Sequence, residues 1–124
     1  MSPLRLYVDS QFTSPYAMSV FVALQEKGID FQMVTVDPTA FENQAGAYAF
    51  LSQTQRVPTL VAGDFAVSES SAITEYLEHV YPETPIYPKN VQLLAKARHV
   101  QAWLRSDLLS IRQERSTLGV FYGA

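Results

Sequence analysis

The 124-residue chain contains no cysteine. That absence excludes disulfides, thiolate metal sites and any mechanism built on the protein's own thiol, so thiol chemistry performed here needs a sulfur supplied by another molecule. Histidine is nearly as scarce. His79 and His99 stand far apart, each inside a helical pattern, so both are read as helix-surface residues and no metal is expected. No apolar run approaches the roughly 20 residues that a bilayer span needs, and a membrane protein is not expected. Positive charge is thin and scattered: nine Lys and Arg against twelve Asp and Glu leave a net charge of −3, without the basic footprint of a nucleic-acid binder. Met1 to Leu6 pass straight into strand-like alternation with no charged leader and apolar stretch, and the expected location is the cytoplasm. A chain of this length, 48% hydrophobic and 17% charged, suits one compact globular domain with an appendage.

What is present is an ordered series of short elements. Leu4 to Asp9 sets Leu4, Leu6 and Val8 against Arg5, Tyr7 and Asp9, the period-two signature of a strand with one better-buried face. Ser14-Pro15 offers an N-cap and a first-turn proline, and the apolar run from Met18 to Leu24 ends at Lys27-Gly28, which together predict a helix. Phe31 to Val36 is rich in β-formers and reads as a second strand, parallel to the first because a crossover separates them. Asp37 to Gln55 is assigned a loop with a short irregular helix. Val57 to Val61 and Phe65 to Val67, split by Ala62-Gly63-Asp64, predict an antiparallel hairpin. Ile73, Tyr76, Leu77 and Val80 share a helical face, and Pro82, Pro85 and Pro88 close that helix and open a stiff connector.

Beyond Lys89, Leu93, Ala97, Val100, Leu104, Leu108 and Ile111 hold one face for about five turns, predicting a helix of some two dozen residues and about 36 Å. Arg98, Arg105 and Arg112 form a solvated row on another face, and Trp103 and Tyr122 are read as packing or interface residues. Such an apolar stripe needs a partner, which points either to a second subunit or to an incompletely represented helical domain. The tail from Ser116 to Ala124 is not a natural end to such a core.

Three segments fall at element ends: Thr13-Ser14-Pro15, Arg56-Val57-Pro58 and Glu69-Ser70-Ser71. Val57-Pro58-Thr59-Leu60 followed by Glu69-Ser70-Ser71-Ala72-Ile73 and Tyr76-Leu77 resembles the glutathione S-transferases. Ser-Pro at the first helix resembles their serine-type members, and Gln101 to Leu108 is similar to the first C-terminal-domain helix of the bacterial YfcF-like kind. The resemblance implies an α/β, thioredoxin-like βαβ-ββα domain with a four-stranded mixed sheet, followed by the start of an all-helical domain. The boundaries are residues 1–83 for the glutathione-binding domain, 84–89 for a linker and 90–124 for the first helix of an incomplete helical domain.

It also implies roles. The serine at the position of Ser14 hydrogen-bonds the glutathione sulfur; read by itself, Ser14 is an ordinary N-cap, with Thr13 the alternative hydroxyl. Pro58 is cis in the family, and Val57 pairs through its backbone with the cysteinyl part of glutathione, whereas alone it is a proline opening a strand. Glu69 takes the γ-glutamyl ammonium and Ser70 with the helix amides takes the carboxylate, although Ser68 to Ser71 also suffice as plain helix caps. Arg56, Gln53 and Gln44 are the candidates for the glycyl end, a surface role being the better reading of each. The implied activity is transfer of glutathione to a small electrophile, without metal, by a homodimer. The alternatives are glutathione-dependent peroxide reduction or isomerisation, and a non-catalytic module for protein association. Glutaredoxin-type disulfide exchange is excluded by the missing cysteines.

Overall fold

The computed structural model describes residues 3–37, 56–107 and 113–123, with the side chains of Leu118 and Phe121 left aside. The loop expected over Asp37 to Gln55 therefore lies, after Asp37, outside the described residues, as do Gln44, Gln53, Leu108, Ile111 and Arg112. Two compact units divide the chain, Met1–Thr84 and Pro85–Ala124.

In the first unit β1 (Leu4–Asp9), α1 (Pro15–Lys27) and β2 (Gln32–Val36) form the expected βαβ unit. β3 (Thr59–Ala62), β4 (Phe65–Ser68) and α2 (Ser70–Val80) complete it. The four strands lie in the order β2-β1-β3-β4. β1 runs parallel to β2, with Tyr7 opposite Val34, and antiparallel to β3, with Leu6 opposite Leu60 and Tyr7 opposite Thr59. β3 and β4 are the hairpin, closed between Ala62 and Phe65 with Gly63 at a left-handed φ of 64°. The sheet is mixed, one parallel and two antiparallel pairings, the thioredoxin-like arrangement that the resemblance implied.

β1 departs from its pattern. Alternation suggested one buried face, but as an inner strand it is buried on both, with only Arg5 half-exposed. Leu6 and Leu60 are fully buried, as are Val20, Leu24, Ile73 and Leu77 from the two helices. On the face of Tyr7, Tyr7 clusters with Val36 and Val61, and Val34, Val57 and Ala66 pack against that cluster. Burying an aliphatic side chain of this size is worth about 1.5–3 kcal/mol, so the sheet's order is fixed chiefly by this apolar set. Phe65 and Tyr76 join β4 to α2, their ring centroids 5.1 Å apart.

α1 ends where Gly28 adopts a left-handed φ of 65°, its N–H reaching Gln25 O and that of Ile29 reaching Leu24 O. Lys27, the last helical residue, carries a role its sequence context did not announce. Its Nζ lies 2.7 Å from Glu78 Oε1, 2.7 Å from the Tyr81 carbonyl and 3.0 Å from the Thr84 carbonyl. The side chain is only 1% exposed, so three acceptors replace the water the ammonium has lost and tie α1 to the end of α2. Burial, with Tyr76 and Glu83 nearby, holds the Tyr81 phenol above its ordinary value. The folded state thus keeps that proton longer than the unfolded chain, and its contribution to stability is lost only as pH rises past about 10.

In the second unit α3 covers Val91–Ser106, opened by Asn90 Oδ1, which accepts from the amides of Gln92 and Leu93. It has 16 residues, about 24 Å at 1.5 Å per residue, and is shorter than the apolar spacing predicted. Ser106 and Asp107, weak helix formers, stand at its end, and the Ser106 hydroxyl turns back onto the Ala102 carbonyl at 3.1 Å. In the tail α4 spans Thr117–Tyr122, capped by Ser116 Oγ on the Gly119 amide and ended by Gly123 at φ 70°. No residue of α3 is buried, and Trp103 and Tyr122, read as packing or interface residues, are exposed. Arg98 is exposed and Arg105 half-buried, while His79 and His99 lie on helix surfaces as expected.

Replacing Lys27 by Met keeps the aliphatic stem and removes the donor from three acceptors. The expected loss is about 2 kcal/mol of unfolding free energy, read from the urea midpoint, with a smaller loss for Glu78→Gln because Nζ retains both carbonyls.

Candidate functional site

The sheet register brings the three singled-out segments to one edge. β1 ends at Asp9, β3 begins at Thr59 and β4 ends at Ser68, and the pairs Tyr7 with Thr59 and Thr59 with Ser68 align those ends. Ser14 thus follows the end of the inner strand, Val57 and Pro58 precede its neighbour, and Glu69 and Ser70 follow the next. At about 4.8 Å per strand spacing, the row from β1 to β4 is about 10 Å wide.

Ser14 is the N-cap of α1, with extended backbone angles, and its Oγ accepts from the Ala17 amide at 3.2 Å. The plain capping role is therefore real. It uses a lone pair and not the proton, and among the described residues no acceptor takes the Ser14 O–H. The backbone before it is bound by a residue that sequence reasoning passed over. Asp9, 6% exposed, accepts from the Thr13 amide at 2.9 Å and the Thr13 hydroxyl at 3.1 Å through Oδ2, and from the Ser14 amide at 3.1 Å through Oδ1. Read as the last polar residue of a strand, Asp9 is instead the anchor of the β1–α1 turn. The available signal was an aspartate at a strand end four and five residues before Thr-Ser-Pro. Thr13, the alternative hydroxyl, is buried and already committed to Asp9.

Phe12 sits in the same turn at a φ of 56°, a left-handed conformation uncommon for a side chain of this size. It is more than half exposed and borders a cavity of about 290 Å³ lined by Val8, Ala17, Met18, Phe21 and Met33, with Asp9 and Ser14 also on its wall. Thioether and aromatic groups make that lining apolar and adaptable in shape.

The Val57–Pro58 peptide bond is cis. Val57 is half-buried, its side chain against the Tyr7 cluster, and among the described residues its own N–H and C=O have no hydrogen-bond partner. Arg56 is exposed, and its carbonyl accepts from the Thr59 hydroxyl.

At the start of α2, Glu69 is the N-cap, with a left-handed φ of 74°, and its side chain makes no capping bond. The plain capping reading of Ser68 to Ser71 loses one member, since Ser68 Oγ is paired with Thr59 Oγ1 at 3.2 Å. Ser70 is 8% exposed, and among the described residues its hydroxyl has no partner, nor does the exposed Glu69 carboxylate. First-turn amides have no acceptor within their own helix, so this terminus offers donors to an anion beside a carboxylate suited to a cation. Among the described residues there is no cluster of three or more metal-binding side chains.

Residues 12–85 match the family of the glutathione S-transferase N-terminal domain. The chain belongs to the glutathione S-transferase family. Among curated proteins, a zeta-class glutathione S-transferase of Euphorbia esula is 37% identical over 99 residues, covering 80% of this chain and 42% of that protein. A theta-1 glutathione S-transferase of Bos taurus is 31% identical over 125 residues, 97% of this chain and 51% of that one. A crystal structure of a glutathione transferase homologue from Burkholderia gl BGR1, with bound glutathione, is 43% identical with a TM-score of 0.78, over 90% of this chain and 58% of the other. The chain spans about a third to a half of the length of the curated glutathione S-transferases it matches.

If the Ser14 hydroxyl caps α1, its removal has a measurable cost separate from any ligand. Ser14→Ala is expected to lower unfolding free energy by about 1 kcal/mol in urea titrations, while Ser14→Asn, which caps equally well and adds no charge beside the buried Asp9, is expected to preserve it.

Proposed function

We propose that this chain binds glutathione along the strand-end row and activates its thiol at Ser14 for transfer to an electrophile. The observation that carries the reading is the Ser70 hydroxyl, 8% exposed and without a partner among the described residues, at a helix start that lacks a side-chain cap. A buried polar group left unpaired costs about 1–3 kcal/mol, and the carboxylate of a γ-glutamyl group relieves that cost there. Its ammonium then falls to Glu69, the cysteinyl amide pairs with the peptide groups of Val57 ahead of Pro58, and the sulfur arrives at Ser14. An extended tripeptide reaches about 10 Å, the width of the row.

At Ser14 the unspent O–H donates to sulfur, and the positive end of the α1 dipole favours the same negative charge. A free thiol titrates near 8.5, and each unit of depression takes about 1.4 kcal/mol, so one charge-assisted bond with the helix terminus supplies about one to two units. The thiolate attacks the electrophile's carbon, a C–S bond forms, and the leaving group departs with the electron pair of the broken bond. The cavity bordered by Phe12, Met18, Phe21 and Met33 suits an uncharged apolar electrophile.

The reading places the chain among serine-type members of the bacterial YfcF-like kind, working in the cytoplasm as a homodimer. The 43% identity to a bacterial homologue with bound glutathione and the Ser-Pro start of α1 support the subtype. Exposed Val91, Leu93 and Val100 on α3 support a partner surface. The assignment of residues 1–83 to glutathione binding, 84–89 to a linker and 90–124 to a helical domain is supported by the division after Thr84.

Calorimetric titration with glutathione tests the site. Measurable heat is expected for the wild type, and Ser70→Ala is expected to weaken binding by about 1–3 kcal/mol, the worth of a hydrogen bond to a charged group. Equal affinities from both proteins would remove the assignment.

A further inference from the structure

We propose that Asp9 is the positioning residue that sets Ser14 against the bound thiol, an inference that rests on the reading of Ser14 above. Asp9 is nearly fully buried, and a buried carboxylate is costly unless its lone pairs are used. Here three donors use them, and all belong to the two residues that lead into α1: the amide and hydroxyl of Thr13 and the amide of Ser14. The turn is closed around the same residue, with the Phe12 amide on the Asp9 carbonyl at 3.1 Å and the Ser10 amide on the Val36 carbonyl at 2.8 Å. Ser14 is then held twice, by its amide on Asp9 and by its Oγ on the Ala17 amide. The freedom left is rotation of the O–H, the motion needed to find a sulfur.

The same carboxylate opposes the chemistry in one respect. Negative charge beside a thiolate favours the neutral thiol, so removing the charge of Asp9 by itself would make the thiol more acidic. Positioning has the opposite sign: if Ser14 is released, the donor bond to sulfur weakens and the thiol becomes less acidic. Asp9→Asn separates the two. Asparagine keeps the shape and one accepting oxygen, but turns an NH₂ toward an N–H of the turn, donor against donor.

The experiment follows the thiolate absorbance of bound glutathione across pH for the wild type, Asp9→Asn and Ser14→Ala, together with the affinity of each for S-methylglutathione, which lacks the thiol. For Asp9→Asn the thiol pKa is expected to rise by about one unit, a tenfold loss of thiolate below both values, while S-methylglutathione affinity stays within about twofold. A fall in the pKa would mean that Asp9 acts chiefly through its charge, no change would mean that positioning is no larger than the charge effect it opposes, and a tenfold loss of S-methylglutathione affinity would mean that Asp9 shapes the whole site; each overturns the proposal. Ser14→Ala separates this failure from that of the functional reading. If Ser14→Ala raises the pKa and Asp9→Asn does not, only the role of Asp9 falls; if neither moves it, the role of Ser14 falls as well. Should Asp9→Asn not fold, Thr13→Val removes one of the three bonds, and a smaller rise is expected; no rise overturns the proposal.

Discussion

The antiparallel pairing of β3 against β1, with Leu6 opposite Leu60 and Tyr7 opposite Thr59, is the constraint on which the rest of the molecule depends. β1 points its end toward the edge where β3 begins, so a residue that follows one strand lies beside residues that precede the other. The hairpin then returns β4 to the same edge. A slip of one residue would turn Leu60 to the opposite face and carry the Val57–Pro58 peptide out of line with Ser14. Burial guards against that slip, because Leu6, Leu60, Ile73 and Leu77 are fully buried and the Tyr7 cluster fills the second face.

At that edge the two helices begin in different ways, and the difference assigns the chemistry. α1 starts with its cap satisfied: Ser14 Oγ accepts from Ala17, Asp9 holds the residues before it, and among the described residues one O–H is left over. α2 starts, among the described residues, behind a strained Glu69 with no capping bond and with an unpartnered buried hydroxyl at Ser70. A rigid start with one spare donor suits the control of a reacting atom, and an open start suits the grip of a charged end group. Strain at a residue such as Glu69 is sustained only when its surroundings impose it, and such strain gathers where ligands are held.

Much of this was legible in the chain because local rules and tertiary contacts agree. Ser14-Pro15 and Gly28 bracket α1, the alternation of β1 and the Ala62-Gly63-Asp64 break set the strands, and Ser-Pro, Val-Pro and Glu-Ser mark the element ends that meet. The role of Lys27 was not legible, and that of Asp9 left only a strand-end aspartate ahead of Thr-Ser-Pro as its signal. Each acts through acceptors or donors whose approach depends on the fold: Lys27 meets Glu78, Tyr81 and Thr84 more than fifty residues away, and Asp9 becomes an anchor only once the turn closes. The overlong helix has a related cause. Apolar spacing runs on past Ser106, but periodicity registers which face is apolar and not where a helix ends.

The most direct test is a crystal structure of the chain with glutathione. The account predicts one tripeptide lying across the strand ends, its sulfur within hydrogen-bonding distance of Ser14 Oγ, its cysteinyl amide groups on Val57 and its γ-glutamyl carboxylate on Ser70. Glutathione bound elsewhere, or with its sulfur turned away from Ser14, would contradict it.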